Sequence, residues 1–406
     1  MPGPLAGIRV LDLTRVLAGP WAAQNLADLG AEVIKLERPK KGDDSRAFGP
    51  PWLKDAQGRD TAESAYFACA NRGKKSVTLD LAHPQGQAIA RELAAKSDVL
   101  LENFKFGDLE RYGLGYAQLK AINPGLIYCS VTGFGHTGPW RERPGYDFMI
   151  QGMGGLMSVT GERDDRPGGG PQKAGIPIAD LITGMYASVA ICAALAHRAK
   201  SGKGQHLDLA LLDSLSAVLA NQAANYLATG EPPGRLGNDH PNIAPYQVFR
   251  TADGSLILAC GNDNLFRKFC DVAACQALAA DARFATNAKR VENRAELTRL
   301  LSEVFKKKTT KDWIDALEAA GVPSGPINDL AQVFAEPQAR ARGLRFELPH
   351  PSAGKVALVR SPMRFSETPV EHDLPPPTLG QHTEEVLRGL GKSEAEIARL
   401  RSAAII

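Results

Sequence analysis

Between residues 8 and 37 the chain alternates in a way that few folds accommodate. Ile8-Arg-Val-Leu-Asp-Leu13 is a short apolar strand. Thr14–Pro20 is a loop, and Pro20 suits a helix start. Trp21–Leu29 is helical and stops at Gly30, after which Ala31–Glu37 is the next strand. This is a strand–helix–strand unit with tight connections. Ser76–Asp80, a helix near 84–96 and Val99–Asn103 repeat it, and Gly125–Thr132 adds a strand. Such alternation predicts an α/β fold with a parallel sheet and helices on both faces.

A second stretch is apolar around nearly its whole circumference. Ala174–His197 reads as a buried helix of small and aliphatic residues, and Asp180 is the carboxylate at its start. An ionised Asp is rarely buried unless something holds it. Asp is a favoured N-cap, so Asp180 reads as a cap. The alternative is a reactive carboxylate, since a helix N-terminus favours the anion and Gly184 leaves room for a ligand to approach. A second helical run near 209–228 leads to the Pro/Gly-rich linker 229–237. Tyr246–Arg250 and Ser255–Ala259 flank a hairpin turn, and helices follow near 264–272, 293–307 and 310–320. At 406 residues two domains are the natural expectation. The predicted division is a large domain over 1–228, a small α+β domain over 229–328, and a segment 329–406 returning to the first.

The formal charge of +3 argues against a general nucleic-acid or membrane binder. The six cysteines show no CxxC spacing and read as buried free thiols of a reducing compartment, so a soluble cytoplasmic protein is expected. The eight histidines form no HxH or HxxxH pair, so no metal is expected. Gly133-Phe-Gly135-His-Thr-Gly138 matches a dinucleotide fingerprint, but that fingerprint must open a helix, and Pro139-Trp-Arg-Glu-Arg-Pro144 reads as a loop. Basic residues gather near the strand ends: Arg38, Lys40 and Lys41, then Arg72, Lys74 and Lys75, then Lys105 and Arg111. Converging there, they suit a phosphate-bearing ligand; singly, each reads as a solvated charge. The loop Pro167-Gly-Gly-Gly-Pro171 reads as a mobile cover or a surface turn.

Several motifs, in order along the whole chain, resemble the class III CoA-transferases. They are Leu5–Pro20, Gly30–Pro39, Leu101–Phe104, Gly145-Tyr-Asp147, Ser201–Gln205, Ile243–Phe249, Val322–Asn328, Phe334–Gln338 and Leu379–Thr383. The likeness is greatest to the branch that handles dicarboxylates. It implies a Rossmann-like large domain built from both chain ends, a small middle domain and an interlocked ring-like homodimer. It makes Asp180 the nucleophile, through the motif Asp-x-x-Thr-Gly. It places coenzyme A along Val16, Leu17, Arg38, Arg72, Lys74, Lys75, Asn103, Phe104, Arg111 and the turn Thr132, Gly133, Phe134, Gly135. Gly261, Asn262 and His240 are the expected acid-substrate contacts, and Arg15 and Arg46 are further cations for a distal carboxylate. The implied reaction moves CoA from an acyl-CoA such as succinyl-CoA to a carboxylic acid such as glutarate, through aspartyl anhydride and aspartyl-CoA thioester. The rival readings are an acyl-CoA racemase, whose Gly-His-Asp segment here lacks its histidine, and a non-catalytic acyl-CoA binder.

Overall fold

The computed structural model describes residues 3–370 and 373–406. The chain divides into two compact units. Unit 1 runs to Gly155 and adds Ala174–Leu219 and Pro337–Ile406; unit 2 comprises Leu156–Lys173 and Ala220–Glu336.

Unit 1 is built on a six-stranded sheet of β1 (Arg9–Asp12), β2 (Glu32–Glu37), β3 (Lys74–Thr78), β4 (Val99–Glu102), β5 (Ile127–Thr132) and β6 (His206–Ala210). Every neighbouring pair is parallel, and the spatial order is β3-β2-β1-β4-β5-β6. This is the doubly wound order, which reverses direction between β1 and β4. Side chains alternate across each strand. Leu11, Leu13, Ile34, Leu36, Val77 and Leu79 form one face, closed by Ile89, Leu93, Leu119, Leu387 and Leu400.

The opposite register is polar yet buried: Asp12, Lys35, Glu37, Lys74 and Ser76. Lys74 Nζ meets Asp12 Oδ2 at 2.9 Å, Asn71 Oδ1 at 2.9 Å and the Pro20 carbonyl at 3.0 Å. Four helices of unit 1 are α1 (Ala18–Asp28), α2 (Asp147–Met153), α3 (Ile178–Ser201) and α4 (Leu211–Val218), and α3 packs against the other three. α1 covers the polar face of the sheet and lies close on α3. A Cβ on Gly184 would lie 2.5 Å from the Ala18 carbonyl oxygen. The glycine therefore serves helix packing, and the expectation that it leaves room for a ligand is corrected. α3 is long and apolar enough to cross a membrane by length and composition. Its Ala179, Thr183, Gly184, Ala187 and Ile191 are buried within unit 1, while Met185, Tyr186 and Val189 are exposed.

Unit 2 carries a three-stranded antiparallel sheet of Ser324–Pro326, Ser255–Ala259 and Tyr246–Arg250. Its core is aromatic, with Phe249 stacked on Phe305 at 4.6 Å, and the Trp313 indole donates to the Phe305 carbonyl at 2.8 Å. Thr309 caps the helix Thr310–Ala319, accepting from the Asp312 amide.

Three expectations are corrected. The run 209–228 is not one helix: its beginning is strand β6, paired with β5, and a left-handed Ala220 (φ +44°) separates α4 from Ala220–Thr229. The boundaries fall at 219/220 and 336/337 rather than after 228 and 328, and Leu156–Lys173 leaves the first domain for unit 2. The last point has a local cause: the Gly237 amide donates to the Gly161 carbonyl, and Arg235 pairs with Asp164. Finally, of the six free cysteines only Cys129, Cys260 and Cys270 are buried; Cys69 is exposed.

Replacing Lys74 by Met leaves Asp12 buried without its cation. Unpairing a buried ion in this way costs about 3–5 kcal/mol, so Lys74→Met is expected to lower the urea unfolding midpoint sharply. An unchanged midpoint would show that the pair contributes little.

Candidate active site

Ligands of doubly wound sheets bind outside the carboxyl ends of the strands, where the order reverses. Two cavities open there in unit 1. One, of about 220 Å³, is lined by Arg15–Ala18 after β1, Asn103–Phe106 after β4, Thr132 of β5, the loop 141–146 and Asp180. The other, of about 140 Å³, is lined by Lys35–Arg38, Asp43, Leu79–Ala82 and Tyr112. Arg15 and Phe104 line both, so the two meet at the reversal.

The junction is clamped by side chains. Asn103 grips the Arg15 backbone twice, accepting from its amide at 2.9 Å and donating to its carbonyl at 2.8 Å. Asp44 lies between Arg15 and Arg38 and pairs with both. The buried Glu102 carboxylate accepts from the Phe104 amide at 2.8 Å, which fixes the ring that lines both cavities.

Asp180 stands in the first turn of α3, whose N-cap is Pro177. It is not the cap. The helix-terminal amides are taken by Asp147 Oδ1, at 2.8 Å from Ala179 N and 3.3 Å from Asp180 N. Asp147 is itself held by Gln151, whose amide donates to Oδ2 at 2.7 Å. The electrostatic benefit of the helix start therefore goes to Asp147. Burial, and then the negative charge of Asp147, push the Asp180 carboxyl up to about 7. The expectation that the helix start keeps Asp180 ionised is thus corrected. Its carboxyl holds its proton more tightly than an ordinary aspartate does, and is a correspondingly basic nucleophile when ionised. Tyr66 is close enough to be affected in turn: burial and the Asp180 charge push its hydroxyl up to about 12.

The expected ligand contacts divide into three groups. Val16, Leu17, Asn103, Phe104 and Thr132 line the Asp180 cavity, and Arg38 lines the neighbouring one. Gly133 is packed against Gly145 (a Cβ would come within 2.5 Å), and Phe134 lies edge-on to Trp140 at 5.4 Å. Gly135 turns the chain at φ +85°. No helix begins until α2 at Asp147, so the fingerprint is a turn, as a dinucleotide site would not be.

The remaining cations already have acid partners. Lys74 is wholly buried against Asp12, and Arg72 against Asp28. Lys75 pairs with Glu32 and Glu385, and Arg111 with Asp108. None of the four lines either cavity. Arg46 is spent on Glu37 and Glu63 and lies over the Phe67 ring. A sequence scan saw the charges of these residues but not their partners.

Gly261, Asn262 and His240 belong to unit 2. Asn262 caps the helix Asp263–Val272, Gly261 is exposed, and His240 packs against Tyr246. The loop 167–171 is also in unit 2, where it is a sequence of tight turns. Sequence reading missed the loop residues Arg141 and Arg143, which stack over Phe106 and Trp140 respectively. The interleaved aromatics and arginines of 134–146 were the available signal.

The model of CoA-transferase family III matches residues 5–383. The succinate–glutarate CoA-transferase of Agrobacterium fabrum is 51% identical over 387 residues, covering 95% of this chain and 96% of that protein. The human succinyl-CoA:glutarate CoA-transferase is 43% identical, over 99% of this chain and 90% of its own length. The crystal structure of a CAIB/BAIF family protein from Brucella suis superposes with a TM-score of 0.84 at 51% identity, over 96% of this chain and 100% of that one.

With its pKa raised in the folded state, Asp180 binds its proton more tightly than in the unfolded chain, so its contribution to stability is present at low pH and is lost as pH rises through about 7. A reaction that needs the carboxylate should show kcat/KM rising over the same range. Asp147→Asn keeps an acceptor for α3 but removes the charge. It is expected to move this acidic limb to lower pH in a pH–rate profile; a limb that stays in place would assign it to another group.

Proposed function

The chain belongs to CoA-transferase family III, and from that premise we propose that it exchanges CoA between succinyl-CoA and glutarate, with Asp180 as the covalent carrier. The observation that carries the reading is the setting of Asp180. Among the described residues no donor holds its carboxylate, and it faces a crevice at the strand-order reversal.

The exchange proceeds in four attacks. The Asp180 carboxylate adds to the thioester carbonyl of succinyl-CoA. The carbon–sulfur bond breaks, CoA leaves as the thiolate, and Asp180 becomes a succinyl anhydride. The thiolate then adds to the Asp180 carbonyl, succinate departs, and an aspartyl-CoA thioester remains. Glutarate adds to this thioester and expels the thiolate, which finally takes the glutaryl group and restores the carboxylate. Splitting the exchange in this way replaces one difficult step by several of similar energy. Each addition places negative charge on a carbonyl oxygen, for which backbone amides are suited. The start of α1 at Leu17 and Ala18 lines the same cavity and carries no side-chain cap, which makes its amides the candidates for this role.

The nucleotide end of CoA takes the second cavity, beside Arg38, and its pantetheine arm passes Phe104 toward Asp180. Arg141 and Arg143 supply cations on the cavity rim, and Arg15 is placed to read a distal carboxylate. The apolar residues that α3 leaves exposed, Met185, Tyr186 and Val189, are covered by a second copy of the chain in a homodimer. Six free thiols suit a reducing cytoplasm.

Incubation with succinyl-CoA and glutarate should yield glutaryl-CoA and succinate by mass spectrometry. Hydroxylamine added during turnover should leave a hydroxamate on Asp180 alone. Asp180→Ala should do neither, and transfer by that variant at the wild-type rate would refute the covalent role.

A further inference from the structure

The turn after β1 contains a residue in a conformation that its side chain disfavours. Val16 has φ +71°. A β-branched residue in this left-handed region is a genuine outlier, because Cβ crowds the backbone. Such conformers persist where the surroundings over-determine them, and they cluster at functional sites. Val16 lines the Asp180 cavity, with Leu17 and Ala18 beside it.

The constraint on Val16 is visible. Its amide donates to Asp43 Oδ1 at 3.0 Å. The same oxygen accepts from the Ser45 amide at 2.9 Å and the Ser45 hydroxyl at 2.8 Å. The other carboxylate oxygen faces Lys35 Nζ at 2.8 Å, and neither side chain of this pair is exposed. Lys35 also donates to the Thr14 carbonyl at 2.7 Å. Asn103 holds Arg15 on both sides. Three successive residues are thus fixed by Lys35 on β2, by Asn103 after β4 and by Asp43 in the loop after β2.

We infer that Asp43, backed by Lys35, is a positioning residue for the exchange at Asp180: it holds Val16 in the left-handed conformation and so sets the backbone of Leu17 and Ala18 on the cavity wall they share with Asp180. The inference rests on the reading of Asp180 as the covalent carrier. Asp43 itself touches no reacting atom. Its effect passes through the Val16 amide, so it depends on what residue 16 costs to hold. Glycine adopts a positive φ about as readily as a negative one, so it needs no such restraint.

That dependence supplies the test. Steady-state kinetics with succinyl-CoA and glutarate are compared for the wild type, Asp43→Ala and the double variant Val16→Gly/Asp43→Ala, with thermal melting of each. Misplacing a group at the reacting centre costs on the order of 100-fold. Asp43→Ala is expected to lose about that in kcat, with KM for succinyl-CoA little changed. Val16→Gly alone is measured too, because Val16 lines the cavity and its loss has its own cost; relative to Val16→Gly, the double variant is expected to lose little further kcat while melting no higher than Asp43→Ala, a rescue that a purely structural role does not produce. If Asp43→Ala does not fold, the same comparison uses Asp43→Asn, whose amide loses the ionic attraction to Lys35, with and without Val16→Gly. A wild-type kcat in Asp43→Ala, or a folded double variant that falls as far below Val16→Gly as Asp43→Ala falls below the wild type, overturns the inference. A wild-type chain that transfers no CoA overturns this inference and the functional reading together.

Discussion

Two lysines without exposed surface reach from neighbouring strands of the sheet in unit 1 to the end of β1 and the turn after it. Lys74 on β3 is bound to Asp12 on β1, and Lys35 on β2 is bound to Asp43 in the loop after that strand. Each pair joins separate elements, and burial raises the stakes of both. Desolvation opposes the charge of Lys74 enough to bring it down to about 8, even with Asp12 beside it. For Lys35 the carboxylates of Asp43, Asp12 and Glu37 outweigh burial, and its affinity for the proton rises. Buried pairs of this kind contribute little net stability compared with a well-packed apolar core. What they supply here is direction: Lys35 donates to the Thr14 carbonyl, Lys74 to the Pro20 carbonyl, and Asp43 accepts from the Val16 amide, so the turn after β1 has one arrangement.

The electrostatics of the site rest on a division of labour between two carboxylates. Asp147 takes the helix amides, and Asp180, in the same turn of space, is left without them. Two acids with different surroundings acquire different tasks. A carboxylate less stabilised than an ordinary surface aspartate is the stronger nucleophile toward the thioester, at the cost of being a poorer leaving group when the anhydride is opened. The same lack of donors leaves Asp180 open to attack by the thiolate.

Much of this was legible in the chain. The strand–helix alternation pointed to the parallel sheet because period-2 and helical patterns are local, and Asp180 stood out because a charge in an apolar helix is rare. Strand β6 was hidden because His206–Ala210 runs straight into a helical pattern, and its identity is decided by pairing with β5. The basic residues show the limit most clearly. Lys74 and Arg72 look like phosphate ligands in one dimension, but Asp12 and Asp28, which neutralise them, lie 62 and 44 positions away. Asp147 was visible in the motif Gly145-Tyr-Asp147, yet its role as the cap of α3 spans 32 positions.

The division of the chain also bears on how the molecule is made. The polypeptide leaves unit 1 after Gly155 and after Leu219, and returns at Ala174 and Pro337. The core of unit 1 includes Leu387, Ile397, Leu400 and Ile405, and the Asp80 amide donates to the Ile405 carbonyl at 2.8 Å. The sheet that carries the site therefore lacks part of its cover until residue 405 has been synthesised, although its β1 precedes every other strand along the chain. Unit 2 has all its residues by position 336 and can form earlier. Contacts this far apart in sequence close slowly, and exposed apolar surface in the interval invites aggregation. During biosynthesis the nucleophile-bearing unit is completed only after unit 2 has all its residues.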